Sequence, residues 1–600
     1  MLFPMYTVLL PTVLDMAEIR PHEELKADGL LTLFREDMGK ALFVSHQWVG
    51  SMHPDPEFKQ FRVLQDALRN VVSGLVEVDL DIITELTFGR SKFLALGAEA
   101  RGQRLSIWYD YFSCPQLQTS TAAEMTPKGG GRGDLGKAID SIPAYVAKCS
   151  FFCVLCPIVE SPDKSRVFSP YTWAQRGWCR VERMVHESSG HGSFIMIRSG
   201  QNIELKATSF LASYGSSPGL GDFSVEEDRL KTALVLKQVL LRRMRLSLQR
   251  GDFTTYRVVL NAQAALFKGL PVEPISGLVP GFEQLENGPK SLVAEFLHQN
   301  GFRYPLEYDN AGWSPLCYAC MKGDLQLIQG LLEASADAND ETRKAQPMLA
   351  LFRANAVLGI SACFHNNDAM KLLISAKSKV NPRGSTFPPI LGATFANNVE
   401  GVRILCEHKA FADVIGPTGI SAVQQACTAG SFEALQVLLF ETQSKVPLSH
   451  ALHYAAIFSD SSAKIIKILL SARADINEQF SESFGNLLGL GIKGIQCRLG
   501  GKATKLRFMG YHHRRATPLM MAILSGQFEC AAALAVSGAR LDLRNARRKK
   551  AEDLARQMSV PEFLMEALQG QVERCASVVS LATSPNETSE EALEEDYFEV

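Results

Sequence analysis

Tyr171-Thr-Trp-Ala-Gln-Arg-Gly-Trp-Cys-Arg-Val-Glu-Arg-Met-Val185 decides how the front of this chain is read. It follows Pro170, a residue suited to the first turn of a helix, and reads as one helix with Trp178 and Glu182 four residues apart. That spacing sets an aromatic plate and a carboxylate on one helical face. Two arrangements follow. Either the face looks into a nucleotide-sized cleft, or Trp178 packs under a sheet and Glu182 pairs with Arg176, Arg180 or Arg183 on a solvated surface.

Outward from this helix, four apolar runs read as strands: Ala41-Leu-Phe-Val-Ser-His46, Leu105-Ser-Ile-Trp-Tyr-Asp110, Ser150 to Val159, and Ser193-Phe-Ile-Met-Ile197. Helices are expected over 21–37, 58–72 and 135–148. Apolar strands alternating with amphipathic helices predict a parallel sheet covered on both faces, over residues 1–205. In a flavodoxin-like strand order the ligand crevice lies beyond the carboxyl ends of the first and third strands. Ser45, His46, Gln47 and Trp48 would line it, with Asp110 beside it. Lys128-Gly-Gly-Gly-Arg-Gly133 lacks the Gly-Lys-Ser/Thr ending of a phosphate-binding loop and reads as a surface loop. His46, His53 and Cys179 fit no ligand spacing, so no metal is expected.

These residues resemble a TIR domain. The resemblance spans about 41–199 and rests on Phe43-Val-Ser45 at the first strand, a second strand ending in an acid, and above all Trp178-Cys179-x-x-Glu182. Ser45-His-Gln-Trp48, His53-Pro-Asp-Pro56, Trp108-Tyr-Asp-Tyr111 and Arg176-Gly-Trp-Cys179 are also similar to a divergent TIR-like group of microbial eukaryotes and bacteria. In TIR domains that cleave NAD, the resemblance makes Glu182 the catalytic residue and Ser45 to Trp48 the nucleotide site. NAD would then be a substrate, and no cofactor is implied. Breaking the nicotinamide–ribose bond builds positive charge on the ribose, which a fixed carboxylate stabilises; Trp178 or Trp48 can stack on a ring. Two departures stand out: His46 occupies a position usually aromatic in the family, and the segment from Gln116 to Gly136 is long.

Residues 206–305 read as a helical hairpin, one helix from Ser224 to Arg250 and one from Thr254 to Phe267, followed by a Pro/Gly linker. Beyond it the chain repeats itself. Asn310-Ala-Gly-Trp-Ser-Pro-Leu316, Ala319-Cys-Met-Lys-Gly323, Leu331-Leu332 and Ala336-Asp-Ala-Asn339 resemble an ankyrin repeat, as do Leu452-His-Tyr-Ala-Ala456 and Ala474-Asp-Ile-Asn477. Ser314 caps a helix that Pro315 begins. Cys317 and Cys320 fall on its packed face. An all-α solenoid of about six or seven repeats is expected over 306–570, interrupted by a basic, Gly-rich insertion at 478–513. The resemblance implies a protein partner on the concave surface. Residues 571–600 read as an acidic disordered tail, drawn to the basic insertion.

The bulk composition narrows the rest. Six hundred residues exceed one core. A net charge of -2 gives no pull toward nucleic acid or an anionic membrane. Thirteen Cys, an odd number without regular spacing, read as reduced thiols, so a cytoplasmic place is expected, or a nuclear one through Arg547-Arg-Lys-Lys550. Met1 to Thr12 has no basic start, is interrupted by Pro4 and Pro11, and is not read as a secretory leader. No run approaches the ~20 apolar residues of a membrane span. Two functions stay open. One is an interaction protein whose TIR-like domain is an assembly or effector module, forming homo-oligomers. The other is an NAD-cleaving enzyme that uses Glu182, with the repeats as its targeting surface.

Overall fold

The computed structural model describes residues 1–600 apart from 89–103, 117–132, 191, 208–216, 283–288, 347–352, 417–418, 443–445, 459–462, 482–487, 501–503 and 584–600. The Gly-rich loop at 128–133 falls almost wholly outside the described residues. The N-terminal part is an α/β domain. Its strands are β1 (Tyr6–Leu9), β2 (Leu31–Leu33), β3 (Lys40–Ser45), β4 (Asp79–Leu80), β5 (Leu105–Trp108), β6 (Phe151–Leu155), β7 (Val159–Glu160), β8 (Val167–Phe168), β9 (Ser193–Ile197) and β10 (Ile203–Ala207). Eight of them form one sheet in the order β2–β1–β5–β3–β6–β9–β10–β4, while β7 and β8 make a separate hairpin.

The four strands expected from the sequence form the parallel centre, with β3 between β5 and β6, and β6 beside β9. Alternation along β3 serves both faces. Leu42 and Val44 join Phe61, Leu64 and Ile107 on one side. Ala41 and Phe43 join Trp108, Tyr145 and Val185 on the other. Phe43 stacks on Trp108 at 4.3 Å and on Phe152 at 5.5 Å. A uniformly parallel sheet does not form, because β1 runs antiparallel to β5 and β10 antiparallel to β9. The expected helix over 21–37 is also corrected. Only His22–Ala27 is α-helical, with a 3-10 turn at Glu36–Met38; Gly29, at φ +69, turns the chain, and Leu31–Leu33 pairs with β1.

The helix Asp228–Gln249 lies against Gly177–Ser188, so the connector covers one flank of the sheet domain. Arg243 Nη1 donates to the carbonyl of Glu187 at 2.7 Å, and Trp178 Nε1 donates to Asp228 at 2.9 Å. From Pro315 onward the described residues give helix pairs at 315–322/325–333, 357–363/367–375, 389–395/399–407, 422–429/432–441, 451–458/463–471, 518–525/528–536 and 551–558/562–568. Three of the repeats begin alike: Ser314, Ser421 and Thr517 each accept a hydrogen bond from the backbone N–H three residues on. Cys317 and Cys320 are fully buried in the stack. Glu573–Thr583, placed in the tail by the sequence, is a further helix that buries Cys575, Val578 and Val579 against the end of the stack.

The insertion is helical over Leu488–Arg498 and Lys505–His512, and it docks on the sheet domain. Lys493 Nζ lies 3.7 Å from Glu85, and Lys505 Nζ lies 2.5 Å from Glu204 on β10. Arg198 is 3.1 Å from the other Glu204 oxygen. These lysines meet acids of the sheet domain; the acidic residues of the expected tail, 587–599, lie outside the described residues. Burial works against the Glu204 charge, but Lys505 and Arg198 outweigh it and hold the carboxyl down at about 2. Removing one member of a buried ion pair strands the other. Lys505→Met should therefore cost about 3–5 kcal/mol, or loosen the contact between the halves, read by urea unfolding and by limited proteolysis between residues 206 and 310.

Candidate functional site

Ser45 ends β3 and is buried. Its hydroxyl is where the stretch 171–185 converges. That stretch is two helices, Pro170–Gln175 and Gly177–Ser188, and not one. Arg176 between them is extended, at φ -75 and ψ 131, and it bridges to Asp222. Gly177 N–H donates to the Asp222 carbonyl at 2.8 Å, and Asp222 N–H donates to that of Gln175 at 2.8 Å. A Cβ on Gly177 would meet the Phe223 ring at 2.2 Å, and one on Gly221 would meet Gly177 Cα at 2.6 Å. The break turns two side chains onto one hydroxyl. Trp173 Nε1 of the first helix donates to Ser45 Oγ at 3.0 Å, and Ser45 Oγ donates to Glu182 Oε2 of the second at 2.6 Å.

None of the three neighbouring arginines takes Glu182 in an ion pair. Arg183 pairs with Glu187 at 2.8 Å. Arg180 donates to the carbonyls of Ala174 and Ser217, and Arg176 to Ser224. Glu182 is half-buried. Desolvation raises its carboxyl most; the Ser45 hydrogen bond pulls it down and the Asp110 charge pushes it up, leaving it at about 7. A carboxyl at that value can give or take a proton near neutrality.

His46 points to the other side of the strand end. Its ring stacks on Tyr109 at 4.0 Å, and Nε2 lies 2.8 Å from Asp110 Oδ1. Burial opposes the imidazolium, but Asp110 prevails and the pKa of His46 is raised. Burial likewise opposes the Asp110 carboxylate, and His46, Trp48 and the Tyr111 N–H overcome it, so its pKa is lowered. Trp48 Nε1 donates to Asp110 Oδ2 at 2.7 Å, and the Trp48 ring meets Tyr111 edge-on at 5.7 Å. The Asp110 side chain remains 33% exposed, so this end of the sheet reaches solvent.

Of the residues singled out from the sequence, Ser45 and Glu182 are bonded, and His46, Trp48 and Asp110 form a second group beside them. Gln47 is a brace: it is buried, donates to the carbonyl of Ser169 at 3.2 Å, and its own carbonyl accepts from Gln60 at 2.9 Å. Trp178 is not brought to Ser45; its ring nitrogen is taken by Asp228 of the connector. The sequence reading gave no role to Trp173 or Tyr109. The Ser169-Pro170 start of a separate helix was the signal for Trp173.

Comparison with known proteins bears on the other half. The ankyrin repeat family model matches residues 311–343 and 449–479. The C-terminal half carries ankyrin repeats. A solved structure, the ankyrin repeat domain of human ASB11, is 18% identical, covers 47% of this chain and 97% of its own, and has a TM-score of 0.26. No curated protein matches. Among the described residues, no helix is long and apolar enough to cross a membrane.

Two outcomes follow from the site geometry. Gly177→Ala should destabilise the chain by about 1–3 kcal/mol, because the Phe223 ring and the 217–223 segment must move, as differential scanning fluorimetry will show. The second concerns pH. Glu182 has a folded pKa of about 7 against an ordinary 4.5, so the stability it contributes is complete below about 4.5 and is lost as pH rises through 7. The Tm should fall from about pH 5 to 8, and Glu182→Gln should flatten part of that fall.

Proposed function

We propose that this is an interaction protein: its ankyrin stack binds a protein partner, and its N-terminal α/β domain is a TIR-like assembly or effector module. The repeat array is the observation that carries this reading, since stacked repeats of this family expose a long surface whose use is protein binding. Two large apolar side chains sit exposed in the loop after the 399–407 helix, Phe411 at 59% and Ile415 at 63%. They suit the anchor points of such a contact. The double change Phe411→Ser and Ile415→Ser should reduce capture of the partner at least tenfold with little change in Tm. Sedimentation of the full chain over a range of concentrations tests assembly, and a monomer at every concentration would remove that part of the reading.

A second reading rests on the Ser45–Glu182 bond. In it the α/β domain hydrolyses the nicotinamide–ribose bond of NAD, releasing nicotinamide and ADP-ribose, with the Glu182 carboxylate facing the developing charge of the ribose. A partly protonated carboxyl, fixed by Ser45 and free of an arginine partner, supports that chemistry. In this reading Trp48, beside Asp110, would stack on the substrate. Full-length protein incubated with NAD should release ADP-ribose, and Glu182→Gln should lower the rate by about 10²-fold or more. Absence of turnover in the unaltered chain, at high concentration with a crowding agent, would leave the interaction reading alone.

A further inference from the structure

The repeat at 450–477 differs at its start from the repeats that begin with a hydroxyl. Ser314, Ser421 and Thr517 begin their repeats with a hydroxyl; the corresponding residue here is His450, held at φ +58. Three residues on, His453 is fully buried. Its Nε2 lies 3.0 Å from the carbonyl oxygen of Ala516, which only accepts, so Nε2 carries the hydrogen. The neutral ring then presents a bare lone pair at Nδ1. That lone pair faces Glu478 Oε2 at 3.7 Å, and Nδ1 has no hydrogen-bond partner. His450 Nδ1 lies 3.0 Å from Glu478 Oε1. The three ligand atoms all fall within 4.8 Å of one another.

Two acceptors aimed at one point repel unless a cation lies between them. We propose that His450, His453 and Glu478 bind a divalent transition metal, Zn²⁺ by ligand type. Tetrahedral zinc with bonds near 2.0–2.1 Å sets its ligand atoms about 3.3 Å apart, a spacing that 3.0 and 3.7 Å bracket. Neutral imidazole and carboxylate ligands suit zinc, whereas magnesium and calcium favour oxygen alone. The outer contacts of a metal site are also present. The Ala516 carbonyl fixes the His453 tautomer; Ser449 Oγ donates to Glu478 Oε1 at 3.1 Å and His450 N–H to Oε2 at 2.8 Å. Phe480 packs on both rings, at 4.7 and 5.1 Å. The Glu478 side chain is 24% exposed, which leaves a fourth position open to water. The metal would tie the start of the 451–458 helix to the strand of loop from which the insertion departs.

The probe is Zn²⁺ added to the full-length chain after chelator treatment, with Mg²⁺ as control. One equivalent of zinc should bind by isothermal titration, release protons and raise the Tm, while Mg²⁺ does neither. His450→Asn keeps a residue that tolerates the positive φ of this position, so it should fold, and it should weaken zinc at least tenfold. Glu478→Gln should do the same. X-ray absorption at the zinc edge should show nitrogen and oxygen neighbours with imidazole scattering. Absence of saturable binding, binding unchanged in both variants, or sulfur neighbours from the thiols would each overturn the proposal.

Discussion

The site depends on the close approach of Gly177 to Gly221 and Phe223, where no side chain fits on either glycine. Because the backbones meet there, a stretch that would otherwise be one helix is cut into two, with Arg176 extended between them. Each half aims one group at Ser45. Without the cut, Trp173 and Glu182 would be carried by one continuous rod, and their positions nine residues apart would place them more than two turns from each other along its axis. The site is thus made by a segment, 217–223, that contributes no polar side chain to it.

The same economy of contact links the two halves of the chain. The insertion between repeats, polar in composition, supplies Lys505 to Glu204 and Lys493 to Glu85. A second link reaches the site helix directly. Glu529 of a repeat helix is buried, accepts from the Ala463 N–H at 3.0 Å, and faces the side chain of Ser169, the residue before the Trp173 helix. Burial pushes its carboxyl up to about 7, against the pull of these donors. Lys464 lies over the Tyr171 ring at 5.4 Å. The repeat stack therefore braces the helix that bonds Ser45.

The repeats themselves show how a regular fold accommodates exceptions. The hydroxyl that begins three of them satisfies a backbone N–H and costs little. At His450 the hydroxyl is gone, and the Glu478 carboxylate accepts instead from the N–H of His450 itself. The change brings two imidazoles and a carboxylate together. The sequence reading weighed a metal at His46, His53 and Cys179, and it gave His450 and His453 no such role.

The sequence alone determined whatever rests on neighbours in the chain. Continuous apolar runs gave the central strands β3, β5, β6 and β9, since a strand buried on both faces needs no partner to be recognised. Ser314-Pro315, Gly323 and their copies gave the repeats, because caps and turns are satisfied within a few residues. The tertiary structure decided what depends on distant segments. β2 is a strand only because β1 lies beside it; the 171–185 helix is broken only because 217–223 crosses it; Trp178 turns from the cleft only because Asp228 takes its N–H. Helical spacing puts Trp178 and Glu182 on one face, but a face has neighbours on both flanks. Which flank each side chain joins is set by hydrogen-bond partners that lie 50 residues away for one and 137 for the other.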